Sequence, residues 1–390
     1  MEGVASAPLF TRPFVVTCLA TFFFYLSFYL ILPVMPLYVA GMGGTSTQLG
    51  LIIGLFAFTA MILRPPAGWI IDSRGSFLVL LVGMVIFFLS SLGYVLARSV
   101  DAVLVLRLFH GTGMGLFPTA ATVVVAELAP ITRRGEAMGW FGIANSAGMV
   151  FGPAAGTAVA GRMGFSVLFV VAAGVALLGL LCIGMLPRVR KPSGNMPPRP
   201  RLEDFFSPAA VLPSVILLFL YVPYGAMVAF IPIIATQRGL TNAGIFYTVF
   251  AVAVLLVRAR AGRLSDQKGR AAVILPGMLV ASVAFATLGL TSGTIGVLAS
   301  AAIYGIAFGA VQPALLALTA DRVPAEERGK AMGTFYTAWE LGISSGAVAA
   351  GLLLKVTEFP VMWLWSAGMP VLGALLSLKA RSSPLPRVSS

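Results

Sequence analysis

Among the ionisable side chains within stretches otherwise built for hydrocarbon, Arg64, Arg107, His110 and Glu340 set the chemistry open to this chain. Glu340 is the carboxylate placed near the middle of an apolar run, where it can take up a proton and give it back. Arg107 and His110 stand three residues apart, on one face of a helix. An arginine in hydrocarbon costs roughly 3 kcal/mol or more, so each must face water or a partner. The expected chemistry is proton carriage, with Glu340 as the carrier, Arg107 setting how firmly it holds its proton and His110 as the second candidate. Tyr336, Thr337, Glu340 and Ser344 share one helical face, with Gly342 and Gly346 opposite, so the glycines can pack on a neighbour while the polar face lines a cavity.

The elements that must hold these residues follow from composition. Of 390 residues, 59% are hydrophobic and 10% charged, where a soluble domain carries about 25% charged residues, and this excludes a soluble globule. A bilayer crossing needs about 20 apolar residues, so twelve would use about 240 and leave short loops. Open sheets cannot span a bilayer. The expected fold is an all-α integral membrane protein with spans near 14–40, 49–71, 77–97, 102–126, 136–161, 165–186, 211–236, 243–263, 271–290, 295–320, 331–354 and 360–378. The first is too long for a signal-peptide core and reads as a retained helix. Cys18 and Cys182 lie in apolar runs and His110 is the single histidine, so neither a disulfide framework nor a four-ligand metal site is expected.

Connectors between twelve spans alternate sides, which sorts the basic residues. Arg98, Arg162, Arg238 and Lys355 fall on one side, Arg64 and Arg107 sit within spans, and the remaining 20 of the 26 lie on or next to the other side with both termini. By the positive-inside rule that side is cytosolic. The formal charge of +13 thus records topology, and no nucleic-acid partner is expected. Pro187 to Pro208 holds six prolines with Arg188, Arg190, Lys191, Arg199 and Arg201, which reads as an extended cytosolic tether. It divides the chain into an N-terminal bundle at 1–186, a linker at 187–208 and a C-terminal bundle at 209–390.

The two bundles match each other at a constant offset of 194 residues. Arg64, Gly68, Asp72 and Gly75 recur as Arg258, Gly262, Asp266 and Gly269, and Gly111 and Gly115 recur as Gly305 and Gly309. Pro130, Arg134, Gly135, Ala137, Met138 and Gly139 recur as Pro324, Arg328, Gly329, Ala331, Met332 and Gly333. Six spans per copy is even, so the copies are parallel repeats about an axis along the membrane normal, with a ligand site between them near the midplane. Arg107 and His110 do not repeat; Ala301 and Tyr304 replace them.

Three motifs carry a resemblance to a known family. Gly262-Arg-Leu-Ser-Asp266-Gln-Lys268-Gly269-Arg270 lies between spans 8 and 9, with a weaker copy, Gly68-Trp-Ile-Ile-Asp72-Ser-Arg74-Gly75, between spans 2 and 3. Span 4 carries Arg107-Leu-Phe-His-Gly-Thr-Gly-Met-Gly115, and span 5 carries Gly148, Gly152, Pro153 and Gly156. With these the chain resembles a major facilitator superfamily transporter over nearly all its length, in particular the 12-span drug:proton antiporter branch. The resemblance implies a gating role for the loop motifs, through Arg64, Gly68, Asp72, Arg74, Arg258, Gly262, Asp266 and Lys268. It links Arg107 to proton relay and points to export. The span 5 glycines form a close-packing seam and Pro153 is expected to kink it, although Thr157 stands where another glycine is usual.

The same resemblance lines the central cavity with spans 1, 4, 7 and 10. Helical stripes there carry Thr21, Tyr25, Phe28 and Tyr29, then Tyr221 and Tyr224, then Ser300, Tyr304, Phe308 and Gln312; Asn145 and Tyr336 are placed with them. Aromatic walls with few fixed charges suit an amphiphilic organic ligand. Enzymatic readings fail on context: Gly342-Ile-Ser344-Ser345-Gly346 lies within a helix, without the elbow that exposes a nucleophilic serine, and Gly329-Lys330 runs into Ala331 rather than completing a phosphate loop. The expected function is proton-coupled export of small drug-like compounds by alternating access across a bacterial plasma membrane, by a monomer with no cofactor beyond protons. Export of one metabolite such as a metallophore, or proton-coupled uptake, are the alternatives.

Overall fold

The computed structural model describes residues 8–130, 133–187, 206–323 and 328–382. Thirteen α-helices run through them: α1 (Arg12–Ile31), α2 (Val34–Gly41), α3 (Ser46–Arg74), α4 (Ser76–Gly93), α5 (Val100–Leu128), α6 (Arg134–Met163), α7 (Phe165–Gly184), α8 (Val211–Gln237), α9 (Gly244–Lys268), α10 (Ala271–Leu290), α11 (Thr294–Asp321), α12 (Arg328–Leu353) and α13 (Phe359–Ser382). The extra helix is the one departure from the expected twelve. Span 1 arrives in two pieces, broken at Leu32 and Pro33, where a proline can neither donate a backbone hydrogen bond nor fit the preceding turn.

Local sequence explains the boundaries. Thr45 and Gln48 form a reciprocal capping box at the start of α3, and the Thr11 and Ser99 hydroxyls cap α1 and α5. Gly75 alone joins α3 to α4, with φ 89°, and its repeat Gly269 ends α9 with φ 87°; a side chain is strained in that left-handed region. Among the described residues, nine spans are long and apolar enough to cross a membrane, and α9, bent by 42° between Arg258 and Arg260, makes a tenth. Helices α6 and α12, of 30 and 26 residues, are as long but rich in Gly, Ala, Ser and Thr; with them the twelve crossings are complete. Pro153 lies inside α6, which runs from Arg134 to Met163 as one helix.

In the first half α1 packs on α6 and α7, α3 on α5, and α4 on α5 and α7. In the second, α8 packs on α12 and α13, α9 on α11, and α10 on α11 and α13. The halves meet along two seams, α3 on α12 and α6 on α9. Segments 1–7 and 188–205, and the C-terminal tail from 383, lie outside the described residues, so the linker reading falls there.

The seams obey the 194-residue repeat position by position, with hydrogen-bond donor and acceptor exchanged. Ser344 donates to the Gly54 carbonyl at 2.9 Å on one, and Thr248 donates to the Val150 carbonyl at 3.1 Å on the other. A Cβ on Gly50 would collide with the Ala347 carbonyl oxygen, and one on Gly244 would collide with that of Pro153. All of these contacts lie toward the end of the bundle remote from the termini, and they seal it. Toward the terminal end, a Cβ added to Gly68, Gly139, Gly142 or Gly262 would meet nothing within 4 Å, and Tyr336 and Thr337 of α12 are exposed. The halves part there, so the cavity between them opens toward the termini.

Candidate substrate cavity and coupling site

Glu340 sits on α12 where the seal gives way to the cavity. It is buried, with 6% of its surface accessible, and accepts a hydrogen bond from Arg64 Nη2 of α3 at 2.5 Å. This ion pair joins the two halves. Arg64 also lies over the Tyr336 ring, 5.8 Å from its centroid, while its Nε is buried without a partner. The sequence reading pairs Glu340 with Arg107 and gives Arg64, within its span, a gating role with the loop motif. The pairing is corrected: Arg64 is the cation that holds Glu340.

Arg107 and His110 lie elsewhere, fully buried inside the first half. Arg107 Nε donates to the Ile52 carbonyl at 2.7 Å, and its guanidinium stacks over Phe56 at 4.3 Å. His110 Nδ1 is 3.1 Å from the Tyr94 hydroxyl, and its ring packs against Phe87 and Phe56. Arg107 Nη1 and Nη2 and His110 Nε2 are buried without protein partners. The face shared by Arg107 and His110 turns into the first half, against Ile52 and Phe56 of α3 and Phe87 of α4.

Around the ion pair stands an aromatic wall. Tyr25 of α1 and Tyr224 of α8 are partly accessible in it, while Tyr221 of α8 is fully buried against Trp339. Tyr25 stacks on Tyr29, whose hydroxyl reaches Asn145 Oδ1 of α6 at 3.5 Å. Phe308 of α11 packs against Tyr221 at 5.3 Å and Tyr224 at 5.5 Å. Phe28 is nearly buried and stacks on Phe56, while Gln312 is half-buried on α11. Tyr304 is corrected out of the wall: it is buried inside the second half, donating to the Leu220 carbonyl at 2.8 Å and stacking on Phe250.

Trp339, adjacent to Glu340, belongs to this wall and escapes the sequence reading. Its ring lies 4.5 Å from Tyr221 and 5.7 Å from Tyr336, a position that the one-residue offset from Glu340 conceals among apolar neighbours. Thr157 and Asn242 are a second omission. They hydrogen-bond across the α6–α9 seam, and Asn242 Nδ2 also donates to the Ala154 carbonyl at 3.1 Å. The departure from glycine at 157 is the signal that could have found them.

The expected seam residues Gly148, Gly152 and Gly156 press on the backbone of α1, leaving no room for a Cβ on Gly156 beside the Leu30 carbonyl oxygen. Pro153 instead faces Gly244 of the other half. In the loop motifs, Asp266 pairs with Arg270, which also donates to Asp321 at 2.9 Å, whereas Arg74, Arg258 and Lys268 are exposed. Gly68 and Gly262 stand in open space, with nothing within 4 Å of an added Cβ. The Asp72 side chain lies outside the described residues. No group of three metal-ligating side chains occurs among the described residues.

Known proteins share this architecture. The family model described as Major Facilitator Superfamily matches residues 17–347 and 240–390. The chain is 25% identical over 357 residues to the uncharacterized transporter MJ1560 of Methanocaldococcus jannaschii, covering 89% of this chain and 92% of that one. It is 23% identical over 367 residues to the staphylopine export protein of Staphylococcus aureus, covering 91% and 92%. Among solved structures, a bacterial homolog of the human lysosomal transporter Spinster, in an inward-facing and occupied conformation, superposes with a TM-score of 0.79 at 16% identity over 95% of this chain and 97% of that one. A duplicated six-helix bundle, a cavity between its halves and a family match along the whole length lead to one conclusion: the chain belongs to the major facilitator superfamily and is a multi-pass membrane transporter.

Proposed function

We propose that this transporter exports small amphiphilic organic compounds from the bacterial cytosol, driven by protons entering in exchange, with both termini and the open end of the cavity facing the cytosol. The observation that carries the reading is Glu340, a buried carboxylate in an aromatic cavity, tied across the halves to Arg64. A proton on Glu340 removes one charge of that pair and loosens α3 from α12, so proton occupancy and the arrangement of the halves are linked. The aromatic wall offers stacking area and few fixed dipoles, which favours an amphiphile over a sugar. Energetically one proton suffices: a charge crossing 100 mV releases about 2.3 kcal/mol, and a tenfold gradient costs about 1.4 kcal/mol, so roughly a fortyfold gradient of neutral solute is sustained.

The likeness to a staphylopine export protein supports the narrower alternative, export of a single metal-chelating metabolite. Proteoliposomes test the main reading. With Glu340→Gln, flux driven by a pH gradient should collapse while substrate exchange at equal pH partly survives; normal driven flux in the variant overturns it. Reporter fusions after Arg201 and at Ser390 test orientation, and a periplasmic signal at either point reverses it.

A further inference from the structure

The two seams align residue for residue, and one pair of positions breaks the alignment. Arg64 on α3 meets Glu340 on α12. Adding the 194-residue offset to the first and subtracting it from the second gives Arg258 on α9 and Ser146 on α6. The neighbouring contacts on both seams keep the register, Ser344 to Gly54 matching Val150 to Thr248, and Ala347 to Gly50 matching Pro153 to Gly244. The second seam therefore repeats the arginine without the carboxylate. Arg258 is exposed, acts electrostatically on Tyr336 across the cavity, and has no acidic partner among the described residues. The level of the ion pair thus holds two arginines, Arg64 and Arg258, against one acid, Glu340.

Water satisfies Arg258 only while the terminal end is open. When the halves close there, α6 and α9 approach at this level, and an unpaired guanidinium losing its water costs far more than a paired one. We propose that Arg258 receives a carboxylate carried by the transported compound, so that the substrate class is an amphiphilic organic acid or zwitterion whose anionic group supplies what Ser146 does not. The guanidinium fork binds a carboxylate through two parallel hydrogen bonds, and the accessible rings of Tyr224, Tyr336 and Trp339 take the apolar body. Loading then removes the obstacle to closure, and an empty carrier closes slowly. The inference rests on the export reading for its direction of transport, not for its recognition chemistry.

Matched acid and amide probes separate the two. Equilibrium dialysis of purified wild-type protein against naphthylacetate and naphthylacetamide should show the acid bound about tenfold or more tightly, a difference of about 1.4 kcal/mol. Arg258→Gln should abolish that preference by weakening the acid and leaving the amide. Ser146→Glu should abolish it too, by supplying the missing carboxylate from within the protein. Equal binding of acid and amide to the wild type, binding of neither, or an acid preference that survives both substitutions overturns the proposal. Acid-selective binding together with inward, proton-driven flux of the acid would leave this proposal standing and sink export alone.

Discussion

In the first half, one turn of α5 carries Arg107 and His110; in the second, the equivalent turn of α11 carries Ala301 and Tyr304. The packing beneath them is nearly superimposable. A Cβ on Gly111 would collide with the Phe56 carbonyl oxygen and one on Gly305 with that of Phe250, while the next glycines, Gly115 and Gly309, would bring a Cβ to 2.9 and 2.8 Å from the carbonyl oxygens of Ala60 and Val254. Duplication has thus kept the backbone approach, which only glycine permits, and released the side chains above it. The first half has become the carrier of buried positive charge. The second has become aromatic, with Tyr304 satisfied by a backbone carbonyl, and supplies the carboxylate of the inter-half ion pair.

The largest effect expected from this division is at Arg107. Its replacement by alanine removes the Ile52 hydrogen bond and the stacking on Phe56, and should cut proton-driven flux in proteoliposomes by about 100-fold, near 2.7 kcal/mol. Tyr304→Phe, at the pseudo-equivalent depth, should change flux less than about threefold, under 0.7 kcal/mol or so; a comparable loss at both sites would erase the contrast. Next come Gly111→Ala and Gly305→Ala. Each forces a methyl against a neighbouring carbonyl, so both should lower stability by about 1–3 kcal/mol, to a similar extent, in thermal unfolding of the detergent-solubilised protein. Unequal shifts would mean that the scaffolds have diverged along with the side chains. The smaller stability effect belongs to Tyr304→Phe, which leaves one buried bond unmade and should cost about 1 kcal/mol in the same assay.

Much of this is legible in the sequence, and what escapes has a physical pattern. A repeat at constant offset is a one-dimensional signal, so the duplicated bundle, its parallel halves and the glycine positions can be read directly. Glu340 also stands out, because a carboxylate in an apolar run has few other uses. Its partner does not, since Arg64 belongs to the other half and ion pairing across a pseudo-twofold axis leaves no trace in spacing. Arg64 groups with the loop motif in sequence because it repeats with that motif, although ten residues separate it from the turn at Arg74. His110 and Tyr304 fall on plausible helical stripes but on the bundle side of them, a choice that packing makes and periodicity cannot. The emptiness around Gly68 and Gly262 depends on conformational state, which no residue pattern encodes.

Helices α6 and α12 both carry Gly, Ala, Ser and Thr where their neighbours carry Leu, Val and Phe, and neither is among the described spans apolar enough to cross a membrane on hydropathy alone. Partitioning from the translocon follows apolarity, so during biogenesis each must be retained in the bilayer by contacts with helices already there. The order of synthesis provides them. Helix α6 emerges after α1, against which its glycines pack, and α12 emerges after both α8 and α3. Each weakly inserting helix thus finds its docking surface already threaded into the membrane, and within each half one of the two helices that seal against the other half is among the last to be assembled.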